Sequence, residues 1–151
     1  GIGWRFDAGE KTPNLQVSPA DMNRCIARFA DITPGPVDGA NIYAVMHPDA
    51  GKAAITGDPG EMAQIIEIAP GGAMPAYHRS RTKETLMCLS GSPALNWGLD
   101  EAVENTFDIW DTVTLQPGTT RRISNPGRTP AQILAIVMGA EGETFDDVEA
   151  G

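Results

Sequence analysis

The stretch from Gly72 to Gly91, GAMPAYHRSRTKETLMCLSG, predicts two antiparallel strands joined by a charged turn. Residues two apart on a strand point to the same face, so His78 and Ser80 are expected on one side. The chain then turns, and Glu84 opens the partner strand, where its carboxylate can face the same interior. Gly91 supplies the turn that ends the hairpin. Such a cluster can hold a divalent metal ion or contact a small ligand in the mouth of a barrel.

Short strands separated by turn residues recur along the rest of the chain. The 17 glycines and 12 prolines among 151 residues break the sequence into short pieces, which disfavours a helical bundle. This pattern is typical of a β-sandwich or a β-barrel. The segments predicted to be strands are 41–46, 61–69, 84–89, 94–97, 105–110, 111–115, 121–124 and 131–138.

The segment before these strands allows two interpretations. Ser18 followed by Pro19 and Asp21 is a helix start, and apolar residues recur after it at helical spacing. Residues 24–29 alternate charged and apolar side chains, which fits an edge strand equally well. A short helix and an edge strand therefore both remain open for this segment.

The charge balance narrows the class of partner. Eleven Lys and Arg against 20 Asp and Glu give a net charge of -9, which nucleic acids and anionic membrane surfaces repel. The basic run 78–83 and the pair Arg121-Arg122 are too short for a nucleic-acid track. We therefore expect a small-molecule ligand, no nucleic acid and no membrane. Two cysteines, Cys25 and Cys88, exclude a disulfide framework and, with no apolar run of membrane-spanning length, favour a cytoplasmic protein.

The opening stretch has the spacing of a known motif. Gly72, His78, Glu84 and Gly91 resemble the first motif of the cupin superfamily, G-x5-H-x-H-x3-E-x6-G, with Ser80 at the second histidine. The resemblance implies an all-β fold, a double-stranded β-helix (jelly-roll) cupin barrel with an N-terminal extension. The reaction stays open, because cupins host many unrelated activities.

The second cupin motif, G-x5-P-x-G-x2-H-x3-N, is matched only in part. Gly118 and Asn125 match its second glycine and its asparagine. Trp110 stands at the first glycine, Gln116 at the proline and Arg121 at the histidine. The first motif is therefore well matched and the second is degenerate.

The resemblance also sets the expected domain organisation. Residues 1–151 are expected to form a single cupin domain. Within it, 61–139 form the barrel, 1–60 form an arm with added strands or a short helix, and 140–151 form an acidic, solvated tail. A homodimer is expected, with Trp97 and Trp110 in the core or at the dimer interface.

This sequence departs most from the cupin family at the positions of the metal ligands. In a typical cupin, two histidines and a glutamate of the first motif and a histidine of the second bind iron, manganese, nickel or zinc. The matching positions here are His78, Ser80, Glu84 and Arg121. A serine hydroxyl is a weak ligand and an arginine has no lone pair to donate, so no metal cofactor is favoured. The alternative keeps a divalent metal (Fe, Ni, Mn or Zn) on His78 and Glu84, with His47 as the candidate third ligand.

Three functions follow from the resemblance. The first is binding or transforming a small, anionic organic molecule by metal-independent acid–base chemistry, of isomerase, lyase or cyclase type. In it His78 is the general acid–base, Glu84 sets its charge or tautomer, and Arg121 holds the substrate's negative charge. The second is a metal-dependent cupin oxygenase or isomerase. The third is a non-catalytic binding or sensory cupin, in which an internal Arg121–Glu84 ion pair fills the vacated metal site.

Neighbouring residues complete the expected site. Ser80, Arg81 and Arg121 are candidate ligand-binding residues, and strand alternation from Glu84 adds Cys88, which is also a plausible small core residue. Arg79 and Arg81 are expected in the turn at the rim of the pocket. Tyr77 is expected to point away from the interior.

Overall fold

The computed structural model describes residues 16–139 and 147–151, and these residues form two β-sheets. The first sheet has the order β1-β2-β4-β11-β6-β9, with β3 beside β2, and the second has the order β12-β5-β10-β7-β8. All the pairings are antiparallel except β2–β3. The strands are β1 (Gly35–Val37), β2 (Ala40–His47), β3 (Ile55–Thr56), β4 (Glu61–Ile68), β5 (Tyr77–Arg79), β6 (Lys83–Ser90), β7 (Ala94–Trp97), β8 (Val103–Thr106), β9 (Thr112–Leu115), β10 (Arg121–Ser124), β11 (Ala131–Met138) and β12 (Val148–Ala150).

The hydrophobic core lies between the two sheets. Strand β11 shows how the sequence builds it, because its odd-numbered residues from Ala131 to Val137 are buried while the even-numbered ones are not. Ile66 and Leu86 of the first sheet join Leu95 and Ile123 of the second in one cluster. Such two-layer packing buries one face of each sheet. The all-β jelly-roll fold predicted from the sequence is confirmed.

The N-terminal part adds a short helix and three strands. Helix α1 spans Pro19–Asn23, and the Ser18 hydroxyl accepts a hydrogen bond from the Asp21 amide as its N-cap. Of the two alternatives for this segment, the helix is the one formed, and a 3-10 helix follows at Phe29–Asp31. No helix within 16–139 or 147–151 has the length and apolar character that spanning a membrane requires.

Two boundaries differ from the sequence prediction. Residues 105–110 were expected to form one strand, but β8 ends at Thr106 and Trp110 adopts a left-handed φ of 76°. The end of the chain was expected to be a solvated tail, but β12 pairs with β5 and Asp147 is buried. The reason is local, because Asp147 accepts hydrogen bonds from the loop between β5 and β6. The first fifteen residues of the expected arm lie outside the described residues.

Candidate functional site

The face of β5 that points into the barrel is the opposite of the one predicted. Tyr77 and Arg79 are buried, with only 9% and 4% of their surface exposed. His78 lies on the other face, where its Nε2 is 3.2 Å from Oε2 of Glu149. Ser80 donates to Oε1 of the same carboxylate at 2.8 Å. The placement of His78 and Ser80 in the interior is therefore wrong, and so is the outward placement of Tyr77.

The error arises from the connection between β5 and β6. These strands were expected to pair as a hairpin, but they lie in different sheets. Four residues separate Arg79 from Glu84, and they carry the chain from one sheet to the other. A shift of one residue moves every side chain of a strand to the opposite face. Glu84 thus shares the interior with residues 77 and 79 rather than with 78 and 80.

The Glu84 carboxylate is the centre of a buried cluster. Its Oε1 accepts hydrogen bonds from the Tyr77 hydroxyl at 2.7 Å and from Nη2 of Arg121 at 2.5 Å. Its Oε2 accepts from Nε of Arg79 at 3.1 Å. Glu84 and Arg121 have no exposed surface. The internal Arg121–Glu84 ion pair predicted from the sequence is present, and Arg79 makes it a three-membered charge network.

A second carboxylate balances the cluster. Asp147 lies 3.6 Å from Nη1 of Arg79, and its Oδ2 accepts from the amides of Arg81 and Thr82 and from the Thr82 hydroxyl. Burial alone would raise the pKa of Asp147, but these hydrogen bonds and the Arg79 charge outweigh it and lower that pKa. Two guanidinium groups therefore face two carboxylates, which is the arrangement that buried charges require.

Tyr77 closes the cluster as a neutral donor. Cζ of Arg121 lies 4.3 Å from the centre of the Tyr77 ring, within cation–π distance. Burial, followed by the negative charge of Glu84, raises the pKa of the Tyr77 phenol far above its usual range. The phenol therefore stays protonated and donates to the carboxylate.

The raised pKa of the Tyr77 phenol predicts a loss of stability at alkaline pH. A group whose pKa is raised by folding contributes stability that is present below the unfolded pKa, about 10 for tyrosine, and is lost as the pH rises above it. Spectrophotometric titration should show no phenolate at Tyr77 before unfolding, and the free energy of unfolding should fall above about pH 10. In Tyr77→Phe this part of the alkaline loss should vanish. An equal loss in both proteins would contradict the assignment.

A groove of about 670 Å³ opens beside the cluster, between β2 of the first sheet and β5 of the second. We call it the arginine groove. Its apolar wall includes Ile42, Ile66 and Met74, and Tyr77 and Arg79 line it next to the buried cluster. The loop residue Lys52 and strands β1 and β12 contribute its outer parts. The groove therefore combines an apolar wall with a guanidinium group.

The other residues singled out from the sequence lie apart from this groove. Cys88 is buried, its Sγ lies 3.6 Å from the Gly91 carbonyl oxygen, and burial raises the pKa of its thiol. It lines a separate apolar cavity between the sheets, as a core residue would. Arg81 contributes its amide to Asp147, so it belongs to the loop that holds the C-terminal strand. His47 ends β2, where its Nδ1 accepts from the Asp49 amide.

The alternative metal site is not assembled. Within the described residues no three or more His, Cys, Asp and Glu side chains come together in a way that could hold a metal ion. His78 lies on the outer face of β5, away from the interior that Glu84 occupies. The set of His78, Glu84 and His47 is therefore wrong as a ligand group.

Sequence reasoning missed Tyr77, Arg79 and Asp147. Tyr77 and Arg79 would have been found if the motif had been counted from Gly71 instead of Gly72. Gly71 is the glycine of the turn, with a left-handed φ of 76°. Five residues separate Gly71 from Tyr77, and one more residue separates Tyr77 from Arg79. The first motif then carries four residues, not three, before Glu84. No local sequence pattern indicates a role for Asp147, because its partners lie more than 60 residues away in the sequence.

Counting the first motif from Gly71 changes which residues stand at the metal-ligand positions. When the motif is counted from Gly71, the positions that carry ligands in a typical cupin would fall on Tyr77, Arg79, Glu84 and Arg121. Guanidinium groups have no lone pair and stay protonated, the phenol of Tyr77 is held neutral, and Glu84 accepts from three donors. This donor set does not fit a divalent metal ion.

Solved structures share the fold described above. No protein-family model and no curated protein matches the sequence significantly. A predicted oxalate decarboxylase from Thermotoga maritima is 15% identical, with a TM-score of 0.63 over 76% of this chain and 98% of that one. The Cnp3 cupin domain of Schizosaccharomyces pombe is 11% identical, with a TM-score of 0.58 over 74% and 72% of the two chains. An oxalate oxidase in complex with glycolate is 15% identical, with a TM-score of 0.63 over 97% and 75%.

These similarities define the class of protein by its fold. The chain is a cupin-fold protein, as the spacing of its first motif indicated. At such low sequence identity the likeness shows the fold and carries no activity.

Proposed function

We propose that this protein binds a small organic anion with an apolar body in the arginine groove. The observation that carries the proposal is Arg79, a guanidinium that lines the groove and is 4% exposed. Its Nε is used by Glu84, while its Nη1 makes no hydrogen bond to any described residue. Its ion-pair partner Asp147 lies 3.6 Å away, beyond hydrogen-bond distance. A buried donor without a hydrogen bond costs free energy, and a ligand carboxylate that reaches Nη1 would offset that cost.

The charges that line the groove favour an anion. Lys52 and Arg79 are its cations, and Glu149 is its carboxylate, which already contacts His78 and Ser80. Arg79 already pairs with Glu84 and Asp147, and Lys52 pairs with Asp49, so a ligand anion would share these cations in a chain whose net charge is -9. Such local fields guide a small anion into a cleft.

Binding is better supported than the acid–base chemistry expected from the sequence. Three donors already contact Glu84, and it has no exposed surface through which a substrate could reach it. His78 lies on the outer face and cannot exchange a proton with a ligand in the arginine groove. A general acid–base must lie within hydrogen-bond reach of the reacting atom. The non-catalytic, ligand-binding alternative therefore fits the geometry best.

Small carboxylates are the first ligands to test. The oxalate oxidase of similar fold is a complex with glycolate, which is a hydroxy acid of this class. The apolar wall of Ile42, Ile66 and Met74 adds a preference for a longer hydrocarbon body. Calorimetric titration should compare glycolate with aliphatic and aromatic acids of roughly four to eight carbons and with their neutral amides.

Reversing the charge at Lys52 is expected to weaken carboxylate binding about tenfold, because one favourable charge becomes unfavourable at the edge of the groove. The change is Lys52→Glu, and its matched control is Arg24→Glu. Both residues form exposed ion pairs with an aspartate three positions earlier, but Arg24 lies outside the groove. The control should bind as the wild type does.

Two results would overturn the proposal. One is equal affinity for the acids and their amides, and the other is equal weakening by Lys52→Glu and Arg24→Glu.

Mass measurement in solution would test the homodimer, which stays a prediction. The cytoplasmic location also stays a prediction.

A further inference from the structure

A second groove opens at the other end of the two sheets. It has a volume of about 590 Å³ and lies between the edge strands β8 and β9, so we call it the β8–β9 groove. Leu95, Trp97 and Phe107 form its apolar floor together with Val113 and Leu115. All four residues of β9 line it, although their side chains alternate between the two faces of the strand. The free edge of β9 itself therefore forms one wall.

Within its four residues, this edge lacks the charges and prolines that normally prevent a strand from pairing. Strand β9 reads Thr-Val-Thr-Leu, and among the described residues it pairs with β6 on one side only. Natural edge strands are protected by lysine, proline, bulges or a covering element. None of the four residues of β9 is charged or proline. An extended segment can therefore add to this edge through main-chain hydrogen bonds.

Large apolar side chains are exposed on the groove and in the segments next to its lining residues in sequence. Trp110 is 69% exposed and Trp97 is 40% exposed, so neither lies in the core. Leu99 and Ile109, which flank them in sequence, are 86% and 51% exposed. Tryptophan is the residue most enriched at the energetic centres of protein interfaces. The cluster therefore marks a surface that contacts another chain.

Trp110 is also held in a strained backbone conformation. Its φ of 76° is a value that glycine adopts without cost and that a bulky side chain rarely adopts. Its amide donates to the Cys88 carbonyl at 2.9 Å, and the Cys88 amide donates to the Asp111 carbonyl at 3.0 Å, so two residues oppose one in a bulge. Trp110 stands where the second cupin motif has a glycine. An exposed indole retained at such a position indicates a function for the indole.

All the charged side chains of residues 84–120 are acidic. Residues 84–120 contain no lysine, arginine or histidine. The segment around the groove contributes five carboxylates: Asp100, Glu101, Glu104, Asp108 and Asp111. Two copies of this chain meeting through this face would place like charges together, which disfavours a dimer here. A partner that complements the face must be basic.

We propose that the β8–β9 groove binds an extended, basic segment of another protein as an added strand along β9. Alternate apolar residues of that segment pack on Trp97 and the apolar floor, and its lysines or arginines face the surrounding carboxylates. Trp110 covers the end of the added strand. This site is separate from the arginine groove, which lies at the opposite ends of the two sheets.

The probe is a synthetic, fluorescently labelled eight-residue peptide that alternates lysine or arginine with valine or isoleucine. Fluorescence anisotropy should show saturable binding that weakens with salt, since paired charges contribute to it. A peptide with glutamate for each basic residue should not bind. A peptide with proline at alternate positions should bind at least tenfold more weakly, because it lacks amides for the strand edge.

Trp110→Gly separates binding from folding. Relief of the strained φ should leave the Tm unchanged or higher, while peptide affinity falls at least tenfold. A second variant, Glu104→Lys with Asp108→Lys, should also lose affinity, and its control Asp38→Lys with Glu61→Lys makes the same charge change at exposed positions elsewhere. The proposal is overturned if the basic peptide does not bind the wild type, if the proline peptide binds equally well, or if Trp110→Gly and the control pair bind alike. Self-association that Trp110→Gly abolishes would also overturn it, in favour of a second copy.

Discussion

Replacing Tyr77, Arg79 and Arg121 together by histidine is expected to create a metal site where the wild type has none. With Glu84 retained, the four positions would carry the three histidines and one glutamate of a typical cupin. The change removes both guanidinium groups, whose charges would oppose a divalent ion. It also frees the Glu84 oxygens from the donors that occupy them.

The size of this effect follows from linkage. A ligand that binds only the folded state stabilises it by about 4 kcal/mol when its free concentration is about 1,000 times its Kd. Zinc, nickel or manganese should therefore raise the Tm of the triple variant substantially and leave that of the wild type unchanged. Metal analysis after dialysis should find a stoichiometric amount in the triple variant only.

A matched variant tests the register of β5. Ser80→His with Arg121→His places histidines at 78, 80 and 121, which is the ligand set that the sequence alignment first suggested. Because residues 78 and 80 lie on the outer face, we expect no stoichiometric metal in it. Metal binding by this variant, and none by the triple variant, would show that the inward face of β5 is wrongly assigned.

Much of the fold follows from patterns that are local in sequence. Strands β7, β10 and β11 have the bounds expected from apolar runs between turn residues. The spacing from a glycine to Glu84 and Gly91 was enough to indicate a cupin barrel. Such patterns are readable because burial of one face imposes a period of two on each strand.

The site was harder to predict, because it depends on register and on long-range contacts. A single residue decides whether His78 or Tyr77 faces the interior, and the histidine of the motif favoured the wrong choice. Arg79 looked like a solvated residue at the rim, since a buried arginine requires partners that the local sequence does not show. One of those partners, Asp147, directly precedes β12, a strand that local propensity did not indicate.

Glu84→Gln is expected to destabilise the protein by about 3–5 kcal/mol, because it leaves two buried guanidinium groups facing a neutral amide. That is a large part of the total stability of a domain, roughly 5–15 kcal/mol. Denaturant unfolding measures the loss. The control is Glu67→Gln on β4, a partly exposed carboxylate that accepts one hydrogen bond from Gln132, and its cost should be less than about 1 kcal/mol. Equal costs for the two variants would show that the buried network carries no net charge interaction.

Removing the whole cluster is expected to restore much of this loss. In the compound variant Tyr77→Phe, Arg79→Leu, Glu84→Leu and Arg121→Met, no buried charge is left unpaired around position 84, and apolar side chains of similar size fill the space. Asp147 keeps its hydrogen bonds from Thr82 and from the Arg81 amide but loses the Arg79 charge, so we expect the restoration of stability to be incomplete. If the network served stability alone, this variant would match the wild type in every assay. Since Arg79 also lines the arginine groove, we expect the compound variant to fold and yet to lose carboxylate binding, and carboxylate affinity equal to that of the wild type would contradict the role of Arg79 as an anion ligand.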